Sequence, residues 1–260
     1  MLEEILPAFM ACAEAFSDPP DVWLFPGEEA LVANAVEKRR TEFATSRHCA
    51  RSALAALGLP AAPLLRGPGG APRWPGGVVG SITHCAGYRA AAAGRAVDAV
   101  TVGIDAEPDQ PLPDLVLGTI ALPQERAMLL DLTAAAPGPC WDRLLFSAKE
   151  SVYKAWFPLT GRWLGFSDAA ITVSPADGTF QARLLVPGPL AGSRRLPGFA
   201  GRWLARDGLI VTAITVPAPL PGYLASSARP VRACQLRSRC GTSGKTQLQA
   251  EGRGWLRSGT

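Results

Sequence analysis

No apolar run in this sequence reaches the 18 or so residues that a membrane span requires. No basic n-region stands at its start either, where Glu3, Glu4, Glu14 and Asp18 occupy the first thirty positions. The chain therefore reads as soluble, with neither a signal peptide nor a membrane partner. Six cysteines are scattered without a C-x-x-C pair or a histidine at zinc spacing, and the 260 residues hold only two histidines. That pattern argues against a zinc site or a disulfide framework, and reduced thiols in a cytoplasm are the economical reading. No internal repeat is readable.

A general affinity for nucleic acid is also missing, although the formal net charge is +4. Residues 221–260 hold seven Lys/Arg and one acid, a local +6, so the other 220 residues carry +4 less +6, or −2. The positive charge thus sits in a Ser-, Gly-, Arg- and Gln-rich segment without periodicity, which is expected to be disordered and to stand outside the fold. The remainder is long enough for one large domain or two small lobes.

What is present is an acidic pattern. Ala99 to Ile104 is an apolar run that ends in Asp105, Glu107 and Pro108, as a buried strand does when it delivers carboxylates to its end. Residues two apart in a strand share a face, so Asp105 and Glu107 are expected to point together. Hard divalent cations take such oxygen ligands. A second stretch, predicted helical from an Asp142 N-cap to Phe157 with Pro158 as its stop, sets Glu150 and Lys154 at i and i+4 on one face. Taken alone, the first pattern also suits an ordinary turn and the second a solvated helix pair.

Around these lie further elements. Gly27-Glu28-Glu29 opens a helical pattern that runs to about Leu57 and carries Arg39, Arg47 and Arg51 close to one stripe, which equally suits a solvated basic face. A Pro/Gly-rich loop occupies 61–77. Strands are predicted at 78–82 and from Tyr88 to Ala93 as a hairpin-like unit, and helices from Leu115 and from Leu122-Pro123. Later strands are expected near 170–173, 180–185, 198–205 and 209–216, the last two joined through the Asp207-Gly208 hairpin signal.

V-G-I-D-A-E-P at 102–108 and F-S-A-K-E-S-V-Y-K at 146–154 resemble, in residues and spacing, the two signature motifs of Sfp-type 4′-phosphopantetheinyl transferases. Arg39-Arg40-Thr41-Glu42-Phe43 with Arg47 resembles the family's R-R-x-E-F-x-x-x-R, and S-I-T-H-C-A-G-Y-R at 81–89 its phosphate-contacting segment. Gly67 to Pro75 resembles G-x-x-x-x-P-x-W-P, and Phe157 to Phe166 the segment that walls the pantetheine channel in actinobacterial broad-range members. The resemblance spans roughly residues 19–216.

It implies an α+β fold of two pseudo-symmetric lobes, 1–100 and 101–220, with coenzyme A between them and 221–260 as a tail. The implied reaction moves the 4′-phosphopantetheine arm of coenzyme A to a serine of an apo acyl or peptidyl carrier protein from a polyketide, nonribosomal-peptide or siderophore synthase. Asp105, Glu107 and Glu150 would hold Mg²⁺; Glu150, directly or through a metal-bound water, would take the serine proton, and Lys154 would stabilise or protonate the leaving phosphate. Coenzyme A would be bound by Arg39, Arg47, Ser81, Thr83, His84, Asp105, Lys149 and Lys154, with His84 protonated and donating to phosphate. Glu125 falls where relatives carry a glutamate discussed as a base. Apolar Leu112, Leu115, Val116 and Leu117 would face the carrier. Relatives place a basic residue where Gly69 to Ala71 supply none, and Arg66 or Arg73 would substitute. A monomer is expected. The rival readings are a coenzyme A or carrier-binding module without chemistry and a Mg²⁺-dependent coenzyme A pyrophosphohydrolase.

Overall fold

The computed structural model describes residues 1–135 and 138–219, so the expected basic tail at 221–260 lies outside the described residues. Met1–Ala218 forms one compact unit. It opens with the short helix α1 (Leu2–Ile5) and strand β1 (Ala11–Ala15), then α2 (Pro26–Leu31), α3 (Glu37–Ala56), β2 (Val78–Cys85) and β3 (Tyr88–Arg95). After β4 (Ala99–Pro108) come α4 (Asp114–Ile120), α5 (Pro123–Ala135) and α6 (Trp141–Thr160). The chain continues through β5 (Ala169–Ser174), β6 (Thr179–Leu184), the two-residue pair β7 (Leu190–Ala191) and β8 (Arg194–Arg195), β9 (Gly198–Arg206) and β10 (Leu209–Pro217).

Two antiparallel sheets organise these elements, one in the order β1-β3-β2 and one in the order β4-β10-β9-β6-β5. In both, the first strand is followed by a helix and then pairs with the last strand to arrive, which gives the two halves a common topology. Mixed helix and antiparallel sheet is the expected α+β class.

Strand β4 explains why its sequence is nearly continuous in apolar residues: both of its faces are covered. Val102, Ile104 and Ala106 join Leu2, Tyr88, Leu209 and Val211 in one core. On the opposite face Thr101 Oγ1 donates to the Ala155 carbonyl of α6 at 2.9 Å, and Gly103 lies directly under the helix. A Cβ at Gly103 would stand 2.1 Å from the Ser151 carbonyl oxygen and 2.6 Å from the Ala155 nitrogen. Asp105 and Glu107 continue this face, so the same close approach that needs glycine brings both carboxylates to α6.

Several sequence expectations change. The helix predicted from Gly27 to Leu57 is broken between α2 and α3, because Glu28 turns inward to a buried site. There its carboxylate accepts the Leu64 N–H at 2.9 Å and an Arg51 N–H at 3.2 Å. Leu31 and Val36, at the end of α2 and just before α3, are exposed. The N-cap of α6 is Cys140, whose N–H goes to Asp109 Oδ1 at 2.7 Å, while Asp142 sits in the first turn and accepts the Leu112 N–H at 2.7 Å. The helix also passes Pro158 and ends at Gly161, whose φ of 62° supplies the left-handed cap. Strand β1 was not anticipated. The Asp207-Gly208 hairpin forms with both residues at positive φ, 53° and 75°.

Gly103→Ala is expected to destabilise the protein by about 1–3 kcal/mol through overpacking against helix backbone. Urea denaturation checks this, and an unchanged midpoint would contradict the close β4–α6 approach.

Candidate active site

The two sheets meet without merging into one ladder. Ser81 Oγ accepts the Ile104 N–H at 3.1 Å, and Thr83 Oγ1 accepts the Ala106 N–H at 3.1 Å. Both bonds span the same sequence separation, so β2 and β4 run parallel with two hydroxyls standing where a neighbouring strand's carbonyls would be. Thr83 Oγ1 also donates to Asp105 Oδ1 at 3.3 Å, and Lys154 Nζ donates to Asp105 Oδ1 at 2.7 Å and to Thr83 Oγ1 at 3.4 Å. Residues from β2, β4 and α6 therefore converge on one point.

On the N-terminal side of that point lies a cluster of cations. Arg39 Nη1 donates to His84 Nε2 at 2.7 Å. A guanidinium has no acceptor to offer, so Nε2 is the unprotonated nitrogen of a neutral imidazole. Burial pushes the pKa of His84 down to about 4, and the charges of Arg39, Lys154, Arg89 and Arg47 push the same way. This corrects the expectation of a protonated His84, because a positive field opposes a further positive charge. Buried Arg47 stacks over Phe43 at 4.1 Å and approaches Glu28 at 3.8 Å. Burial, with Arg39, Arg51 and Arg66, lowers its pKa to about 10. Arg66 thus adds its charge to this cluster. Arg51, from the predicted stripe, is committed to Glu28 and to the Trp23 carbonyl.

The acidic side is arranged differently. Glu107 Oε2 accepts Arg143 Nη1 at 3.0 Å, and the same guanidinium holds the Gln110 and Pro111 carbonyls at 2.9 and 3.1 Å. Glu150 forms no hydrogen bond or ion pair among the described residues. Burial and the Asp105 charge push its pKa up to about 7 despite Lys154. Glu107 is likewise raised by burial and by Asp105, against Arg143.

Among the described residues no three His, Cys, Asp or Glu side chains form a ready-made metal cluster. Asp105 nevertheless has a buried Oδ2 without a hydrogen-bond partner among the described residues, and crowded carboxylates of raised pKa are what a cation relieves. One or two carboxylates are the usual protein share of a Mg²⁺ shell that substrate phosphates complete. The residues present fit that ion.

Several expected site residues lie elsewhere or are occupied. Lys149 is buried on another side of α6, where its ammonium meets Glu125 at 2.8 Å. Successive helix residues point about 100° apart, so Lys149 cannot accompany Glu150. Glu125 is fully buried and caps Leu122 and Ile171 N–H groups, both at 2.7 Å. Its place in a base role is corrected by that burial. The hydroxyls of Ser81 and Thr83 are buried in the junction. Leu112 is in the core and Val116 and Leu117 pack against it, leaving only Leu115 exposed among the four apolar residues named for a carrier. Arg143 was missed, because its role depends on a loop folding back onto α6.

The His84 shift has a sign. A folded pKa near 4 against 6.5 means that the unfolded chain binds more protons between those values, so stability rises with pH across pH 4–6.5. In the His84→Gln variant this slope should flatten in urea melts at pH 4.5 and 6.5. Proton NMR of the histidines should place the His84 midpoint near 4; a midpoint at 6.5 or above would contradict the cationic cluster.

Residues 27–94 match the model of the 4′-phosphopantetheinyl transferase N-terminal domain, and residues 101–194 that of the 4′-phosphopantetheinyl transferase superfamily. The chain is 60% identical over 222 residues to the 4′-phosphopantetheinyl transferase Svp of Streptomyces mobaraensis, covering 84% of this chain and 90% of that one. It is 51% identical to the 4′-phosphopantetheinyl transferase Npt of Nocardia iowensis over 222 residues, covering 82% and 99%. With the 4′-phosphopantetheinyl transferase PptT of Mycobacterium tuberculosis it shares 49% over 225 residues, covering 83% and 98%. The chain belongs to the 4′-phosphopantetheinyl transferase superfamily.

Proposed function

We propose that this protein transfers the 4′-phosphopantetheine group of coenzyme A to a serine hydroxyl of an apo carrier protein and releases adenosine 3′,5′-bisphosphate. The observation that supports this most is Lys154 of α6 bonding both Asp105 of β4 and Thr83 of β2, beside the Arg39–His84 pair. A cationic half suited to nucleotide phosphates and an acidic half suited to a divalent cation thereby face one point. Arg39, Arg47 and the neighbouring Arg66 bind the phosphates of coenzyme A, with neutral His84 held by Arg39 as part of that surface. Arginine suits this task because its planar fork pairs bidentately with phosphate oxygens.

In the transfer, the serine oxygen forms the new P–O bond to the phosphorus that bears pantetheine, and the bond to the nucleotide phosphate breaks. Glu150, which makes no hydrogen bond or ion pair among the described residues, accepts the serine proton. Lys154 carries the charge that develops on the leaving phosphate. Asp105, Glu107 and Glu150 would hold Mg²⁺, which when bound neutralises pyrophosphate charge. Positioning and electrostatics supply most of such a reaction. The lobes divide at 1–100 and 101–220 in this reading. The carriers are acyl or peptidyl carrier domains of polyketide, nonribosomal-peptide or siderophore synthases, modified by a cytoplasmic monomer. No helix is long and apolar enough to cross a membrane among the described residues.

Intact mass spectrometry of an apo carrier incubated with the protein, coenzyme A and Mg²⁺ is expected to show one added phosphopantetheine, abolished by EDTA. Coenzyme A cleaved with the carrier unmodified would instead support the hydrolase, and binding without either reaction the non-catalytic module. Asp105→Ala should lower turnover by about 10²-fold to 10³-fold, the usual cost of removing an electrostatic stabiliser. Near-normal turnover in that variant would remove Asp105 from the metal set.

A further inference from the structure

Lys149 and Glu125 carry opposite charges deep in the C-terminal half, and the transfer chemistry above gives neither of them a task. Their surroundings are complete. The Lys149 ammonium has three protons to donate and three acceptors at hand: Glu125 Oε2 at 2.8 Å, the Phe166 carbonyl at 2.7 Å and the Ala169 carbonyl at 3.1 Å. Glu125 in turn accepts the Leu122 N–H through Oε2 and the Ile171 N–H through Oε1, each at 2.7 Å. Four segments meet here: the start of α5, the middle of α6, the turn at 166–168 and β5. Strand β5 is the edge of its sheet, and the Ala169 carbonyl and Ile171 N–H are groups that such an edge leaves open.

We propose that Glu125 and Lys149 are a buried positioning pair that fixes the rotation of α6 about its axis, and with it the direction in which Glu150 and Lys154 face the transfer site. Glu150 immediately follows Lys149 and makes no bond of its own among the described residues, so the backbone of α6 sets its place. The contact at Gly103 holds the helix against β4, where Thr101 and Thr212 also bond it at the Ala155 and Ser147 carbonyls. Three directional bonds from Lys149, on a side about 100° away from Glu150, add the restraint against turning that the β4 side alone does not complete. An apolar residue at 149 would fill the space without that constraint. Lys149 is thus a positioning residue and not a phosphate ligand, and Glu125 is not the base. This inference rests on the proposed transfer reaction.

The test uses the full chain as Lys149→Met, Glu125→Gln and the double variant. Each is measured for kcat and KM in carrier modification and for coenzyme A Kd by calorimetry. Misplacing a reacting group by about 1 Å costs up to about 10²-fold, so kcat is expected to fall by about 10-fold to 10²-fold. Coenzyme A Kd and the limbs of the pH–rate profile should stay in place. The double variant removes both charges together, which buried pairs usually tolerate, so it should fold and still show the kcat loss. If the single variants fail to fold, the double variant decides. Wild-type kcat in any folded variant would overturn the inference. So would weakened coenzyme A binding in Lys149→Met, which would make it a phosphate ligand, or a lost pH limb in Glu125→Gln, which would make it the base. A wild-type protein that modifies no carrier would overturn the proposed reaction and this inference together, whereas an active wild type with unaffected variants overturns the inference alone.

Discussion

Two hydroxyl groups carry the junction on which the rest of the molecule depends. Strand β4 offers its N–H groups to β2, and Ser81 and Thr83 receive them at Ile104 and Ala106. A buried N–H left without such a partner costs about 1–3 kcal/mol, so each hydroxyl is worth more to the fold than its single bond suggests. Side chains in place of backbone also keep the two sheets separate. Each sheet retains its own helix, and the N-terminal core and the α6 core stay on opposite faces of β4. Thr83 then reaches past the junction to Asp105 and Lys154. The contact that joins the two halves is also the contact that aligns the site.

Across that junction the charge is separated, with arginines gathered on one side and carboxylates on the other, and ion pairs such as Arg47–Glu28, Arg143–Glu107 and Lys154–Asp105 reach only some of them. Burial, and after it the charge of Arg66, lowers the affinity of Arg39 and Arg47 for a proton, and His84 beside them is held neutral. Asp105 raises both Glu107 and Glu150 in the opposite sense. Like charges kept close cost stability, and proteins tolerate that cost where function needs the field. Such a field favours anions on one side and a cation on the other. Preorganised charges of this kind spend no energy on reorientation during a reaction. The buried Glu125–Lys149 pair belongs to another class, since every donor and acceptor in it is answered.

Legibility in the sequence followed the range of the interaction. Period-2 spacing was enough to put Asp105 and Glu107 on one face, and the helical period to put Glu150 beside Lys154, because both relations lie within one element. The β2–β3 hairpin and the Asp207-Gly208 turn were legible for the same reason. The break between α2 and α3 was not. It exists because Glu28 is drawn to Leu64 and Arg51, residues far along the chain. Lys149 was misplaced for a related reason: proximity to Glu150 in sequence says nothing about which side of α6 has acceptors waiting. Of Leu112, Leu115, Val116 and Leu117, a short apolar run could not reveal which single residue would remain outside the core.

By itself the sequence determined the local geometry: a strand covered on both faces and ending in carboxylates, a helix presenting Glu150 and Lys154 together, and an arginine stripe. Backbone periodicity imposes these whatever surrounds them. Only the tertiary structure decided protonation, pairing and orientation. His84 is neutral because it is buried and four cations from three other elements converge near it, and Arg143 finds Glu107 because the 109–113 loop folds onto α6. Lys149 is a buried anchor because α5, β5 and the 166–168 turn close around it. Electrostatic energy depends on distance through space and on burial, and neither quantity is written in the spacing of residues along a chain.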